Sequence, residues 1–311
     1  MKTVAELGAA LVLAAVVAAP PVGAAPPDGQ LRDAIKASIE VGLQWLRWQL
    51  DAAGTYNGDP AATAGAVRVM AESFRKYVED DGPFMRRPIA FVRTSLKGRP
   101  EPAAAAASVL ALRSLQNAGD APLVQSQAPV LLAALQRASS SAALPDLETV
   151  ATVVAAARAA GIAAGGELLS VTRTLAQRGT AADDFPAFKE SLQVSALLAA
   201  GAAPTDPAVV TALDAIRQKW GWWNSSASAS KTDPASGPAV PAHYWYALTA
   251  ALHALGAPGI EDAAGQARDW QSEIGRALVA SQQFDGYWLR RDDKVAGTLA
   301  AIGALELIYG Q

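Results

Sequence analysis

The chain has 311 residues, 51% of them hydrophobic and 18% charged, with a formal net charge of −3. Such a length and apolar share support a large buried core, and the lack of any Lys/Arg block argues against nucleic acid or an anionic membrane surface as partner. There is no cysteine, which excludes disulfides and any metal site built on thiolate.

The first 24 residues read as an export signal. Lys2 supplies a thin positive region, Leu7 to Ala19 is a short apolar run, and Val22-Gly23-Ala24 offers small residues before a cleavage point. The expected location is periplasmic or secreted, in a bacterial host. No later apolar run is long enough to span a membrane without interruption, so the mature chain, residues 25–311, is expected to be one soluble domain.

Repeats of Ala/Leu-rich helix ending in glycine then follow one another. The first inner segment, Val67 to Val78, is expected to stop at Gly82, and later ones at Gly119, Gly161, Gly201, Gly256 and Gly310. Between them lie one-sided helices with a 3.6-residue period. Ile35, Ile39, Leu43, Leu46 and Leu50 make one stripe, Val209, Leu213, Ile216 and Trp220 a second, Trp270, Ile274 and Leu278 a third. The segments 146–160, 188–200, 241–255 and 295–309 carry little charge on any face and are expected to be buried nearly all round. Each repeat thus pairs an outer amphipathic helix with an inner buried one. The last helix is as apolar as the middle ones, although an open solenoid needs polar caps at its ends. The expected fold is therefore all-α, a ring of about six helical hairpins, or α/α toroid, with an open helical solenoid as the alternative.

The best-marked stretch is Arg276 to Trp288, in which a helix ends in Gln282-Gln283 and the turn Asp285-Gly286 delivers Tyr287-Trp288. It resembles the Gln-Trp repeat of squalene–hopene cyclases and their relatives, the terpenoid cyclase and protein prenyltransferase toroids. The matching positions are Gln283, Gly286 and Trp288. A weaker copy runs from Leu46 through Gln49 and Gly54 to Tyr56, with Tyr in the Trp place, and a third keeps Gln218 with Trp220, Trp222 and Trp223 in altered spacing. The resemblance implies a six-hairpin toroid in which the Gln caps the next helix and stacks on the Trp. The catalytic signatures of that family are missing: the chain has no Asp-x-Asp-Asp, no Asp-Asp-x-x-Asp and no Cys for a prenyltransferase zinc site. No cofactor and no metal are expected.

Polar groups at one end of the inner helices are expected to face a central cavity, where small-molecule sites concentrate. His243-Tyr244-Trp245-Tyr246 follows Pro241 at a helix start. It reads either as a ligand or acid–base site, or as an aromatic cluster closing the ring with His243 half exposed. His253 sits mid-helix and reads as a satisfied core residue. Trp222 and Trp223, beside a Ser/Ala/Pro stretch, would stack on a sugar or an isoprenoid, or else cover the core edge. Asp59 before Pro60 is a good helix cap, and Asp292 and Asp293 sit in a mixed-charge loop. Ring closure would make Asp59 a neighbour of Asp292 or Asp293, the pairing that would serve if carboxylates do chemistry. Three functions follow. The first is a non-catalytic toroid that binds an apolar or amphipathic molecule, a glycan or a protein at its rim. The others are a divergent terpenoid-cyclase-type enzyme and a carbohydrate-active enzyme on a six-hairpin barrel.

Overall fold

The structure, a computed structural model, describes residues 28–98, 100–181, 185–223, 240–290 and 293–310. The expected export signal and Asp292 lie outside the described residues.

The described residues are helical in class. Six helices are buried nearly all round: α2 (Pro60–Glu72), α4 (Pro102–Ser114), α7 (Leu147–Ala159), α9 (Phe188–Ala199), α11 (Ala242–Leu255) and α13 (Lys294–Tyr309). Six others bury one face: α1 (Gly29–Trp48), α3 (Pro83–Lys97), α6 (Ala128–Ser140), α8 (Gly166–Arg178), α10 (Pro207–Gln218) and α12 (Trp270–Ser281). The short α5 (Ala121–Ser126) lies between α4 and α6, and a two-stranded ribbon, Ile260–Glu261 with Ala267–Arg268, joins α11 to α12.

Their starts follow from local chemistry. Asp28, Asp59, Asp146, Asp206, Asp269 and Asp293 each accept a backbone N–H from the first turn of α1, α2, α7, α10, α12 and α13. Such a cap satisfies amides that the helix itself leaves open. Proline opens α2, α3, α4 and α10, where its missing N–H costs nothing.

Three expected glycine stops hold. Gly161, Gly201 and Gly256 take φ of 105°, 97° and 66° just past α7, α9 and α11. The other three are corrected. α2 ends at Glu72, well before Gly82, because Ser73 turns to extended backbone and its hydroxyl donates to the Met70 carbonyl at 2.7 Å. After α4 the left-handed residue is Gln116 (φ 54°), with Gly119 in a short 3-10 turn, and Gly310 keeps a right-handed φ of −74°.

The inner helices pack in the order α2, α4, α7, α9, α11, α13, and α13 packs in turn on α2. In the outer layer α12 packs on α1, where Arg276 donates to Asp28 at 3.1 Å. First and last hairpins therefore touch through both layers. Among the described residues no helix is long and apolar enough to cross a membrane.

Candidate functional site

Paired polar groups lie between the inner helices. Arg68 lies in the middle of α2 and is 4% exposed. Its Nε donates to Glu72 Oε1, one turn along, at 2.8 Å, and the Tyr246 hydroxyl of α11 is a second partner. In the packing order α13 stands between α2 and α11, so this contact reaches through the interior. Gly303 of α13 makes room for it: a Cβ there would meet Tyr246 Cε2 at 2.8 Å. Only about 10 Å³ of space remains among Gly65, Arg68, Val69, Glu72, Tyr246, Leu299 and Gly303. That is space for roughly one water molecule.

Burial disfavours the Arg68 charge, yet the Glu72 carboxylate and the Tyr246 hydroxyl more than offset it and hold the guanidinium protonated. Burial also pushes the Tyr246 hydroxyl up to about 12. On α13, burial pushes the Glu306 carboxyl up to about 8, against the Phe74 N–H that donates to it at 3.2 Å and the Lys76 charge; Glu72 adds to the rise. Glu306 therefore keeps its proton at neutral pH.

A second pair crosses at the other end of the inner helices. Arg290, just before α13, donates to Glu148 Oε2 at the start of α7, at 2.5 Å, with side chains 13% and 2% exposed. α7 and α13 are three places apart in the six-helix order, so this pair lies across the ring.

The aromatic residues singled out in the sequence come together beside this end. Trp222 Nε1 donates to the Tyr244 hydroxyl at 2.8 Å, Trp223 stands edge-on to Trp245 at 5.0 Å, and Trp220 edge-on to Trp223 at 5.1 Å. Tyr244 and Trp245 are buried and the three other indoles half-buried. His243 is fully buried and edge-on to Phe188 at 5.2 Å, which corrects the half-exposed expectation: its helix start is covered by α9. His253 is half-buried, and burial lowers its pKa. Asp59 accepts from the Ala61 and Ala62 amides, and Asp293 from the Ala296 amide. Both are engaged as helix caps. Among the described residues no group of three His, Asp or Glu side chains is placed to hold a metal ion.

The turn at residues 282–288 packs against α1 and α12. Gly286 has φ 95°, and a Cβ on it would meet Val41 Cγ1 of α1 at 2.5 Å. Trp288 is 1% exposed, its indole N–H donates to the Leu278 carbonyl at 2.8 Å, and its backbone N–H to Thr298 Oγ1 at 3.1 Å. The first hairpin repeats this device with Tyr56, whose hydroxyl donates to the Leu46 carbonyl at 2.8 Å and whose N–H donates to Thr63 Oγ1 at 3.2 Å. The tie to the neighbouring helix, however, is made by Gln282, whose amide donates to the Ser38 carbonyl at 3.0 Å. Gln283 is exposed and donates to the Ser281 carbonyl, because its own N–H is fixed to the Tyr287 carbonyl in the turn.

A concavity opens on the outer-helix side. Between the C-terminal half of α1, the α2–α3 connection and the start of α3 is a groove of about 440 Å³ lined by Glu40, Leu43, Gln44, Arg47, Trp48, Arg75, Tyr77 and Phe84. Small-molecule sites commonly occupy ~300–1,000 Å³. The sequence reading passed over this groove and the Arg68–Tyr246 contact. A single Arg inside an Ala/Val helix, and a Trp on the polar side of an amphipathic one, were the available signals. No protein-family model and no curated protein matches this chain.

Proposed function

We propose that the chain is an exported, single-domain α/α toroid that keeps the ring as a scaffold and binds its ligand or partner from outside rather than within it. The observation that carries this reading is the contact of Arg68 with Glu72 and Tyr246 beside Gly303, where only about 10 Å³ is left among the side chains. An isoprenoid chain needs many times that space. The missing acid and metal motifs of the cyclase and prenyltransferase families agree with a binding role. The test is native mass spectrometry of the chain incubated with farnesol. The reading predicts the bare chain mass. A one-to-one adduct that survives gentle desolvation would overturn it.

One observation favours a cyclase-type enzyme instead. Glu306 is a carboxyl held protonated near neutral pH by burial, the property a proton donor needs. Product analysis after incubation with squalene decides the matter: a cyclic product that Glu306→Gln abolishes would carry this second reading, and unchanged substrate would dismiss it.

A further inference from the structure

Trp48 closes the last turn of α1 with 69% of its surface exposed. Packing of the ring does not require an indole there. Around it stand four long polar side chains, Glu40, Gln44, Arg47 and Arg75. Arg75 donates to Glu40 Oε1 at 2.5 Å. The Arg47 guanidinium lies 3.9 Å from the centre of the Phe84 ring, and Tyr77 meets Phe84 edge-on at 5.4 Å. Arg47 is thus oriented by an aromatic face. The walls are held rigidly. A Cβ on Gly54 would meet Arg87 Cβ of α3 at 2.3 Å, and Arg87 donates to the Ala52 carbonyl at 3.1 Å. The first hairpin and α3 therefore frame the groove as one body, which a preorganised site requires.

From this arrangement we infer that the groove is a binding site for a saccharide bearing a carboxylate. A sugar ring offers an apolar C–H face, which lies on an exposed indole, and a rim of hydroxyls, which suits planar side chains able to donate and accept in pairs. Glu40 supplies an acceptor pair, Arg75 a donor pair, and Gln44 one of each. Arg47 supplies the forked, permanently charged donor set that matches a carboxylate. A peptide would need a deep apolar socket for an anchoring side chain, whereas here Leu43, Trp48, Tyr77 and Phe84 alternate with four polar side chains. The inference rests on the reading that the ring binds from outside.

The test is titration of the full chain with trigalacturonate, followed by tryptophan fluorescence and calorimetry, with chitotriose and hexaglutamate as comparison probes. Trigalacturonate is expected to bind with a submillimolar dissociation constant that weakens as salt is added. Trp48→Ala and Arg47→Gln are each expected to weaken it by about tenfold, the range of a contact at the centre of a site, with helix content unchanged. Chitotriose and hexaglutamate are expected to bind at least about tenfold more weakly than trigalacturonate. No binding at millimolar trigalacturonate overturns the site, as does binding that Trp48→Ala leaves unaltered. Equal affinity for hexaglutamate overturns the saccharide, and equal affinity for chitotriose overturns the carboxylate. Failure here leaves the filled axis as it stands, whereas a farnesol adduct removes the scaffold reading without touching this titration.

Discussion

At the axis, Arg68, Glu72 and Tyr246 close on one another and leave about 10 Å³; in the outer groove, Arg47, Arg75, Glu40 and Tyr77 stand around about 440 Å³. The residue types are nearly the same. The spacing of the backbones beneath them differs. The inner helices present Ala, Gly, Ser and Thr to one another, so they approach closely and long side chains between them must interlock. In the groove the walls belong to an outer helix, a connection and the start of the next outer helix, and they stand apart. An Arg–Glu pair therefore has a buried arginine in one place and lines open space in the other.

The largest expected effect falls on the axis. Tyr246→Ala removes a buried ring and opens a cavity, and should cost about 3–5 kcal/mol in chemical denaturation; a loss under about 1 kcal/mol would mean that the axis is not packed. Next comes a matched pair of truncations. Arg68→Ala leaves Tyr246 and Glu72 without the charge they face, and should cost about 2–3 kcal/mol, at the low end for a buried pair because Glu72 is 42% exposed. Arg75→Ala breaks the same kind of pair between half-exposed side chains and should cost no more than about 1 kcal/mol. Equal losses would erase the distinction between the two regions.

Glu306 sharpens the comparison through pH. Its folded-state pKa is raised from 4.5 to about 8, so between those values the folded chain holds a proton that the unfolded chain releases. The stability this group contributes is complete below about pH 4.5 and is lost as pH rises toward 8. Denaturation at pH 5, 7 and 8.5 should show that decline in the natural chain and a flatter profile in Glu306→Gln, with the variant the more stable at the highest pH. A profile that Glu306→Gln leaves unchanged would place the titrating group elsewhere. The smallest effect is expected in the groove, where Trp48→Ala should alter stability by no more than about 0.5 kcal/mol; a larger loss would make Trp48 a packing residue.

Much of the fold was legible before any coordinates. Segment 188–200 reads as a buried helix and forms α9, Phe188–Ala199, since uncharged Ala/Leu/Val runs of that length bury on every side. Asp59 reads as a cap and acts as one, whereas Asp293, read as part of a mixed-charge loop, also caps a helix. Gly286 and Trp288 do what their turn suggests, yet the binding glutamine is Gln282, because a one-residue difference at a helix end redirects a side chain that sequence spacing cannot aim. Arg68 escaped notice because its partner Tyr246 lies far along the chain, and an apolar pattern with one polar residue looks like an apolar pattern. Trp48 escaped because its exposure depends on where the α2–α3 connection runs, which no periodicity states.

Hydrogen exchange of the inner helices under native conditions tests the central claim, a ring closed around a filled axis. An open row of hairpins frays from its ends, so its first and last inner helices exchange faster than the middle ones. The closed ring predicts that α2 and α13 are protected as strongly as α7, and that all three open together. Graded protection, with α2 and α13 the weakest, would contradict it.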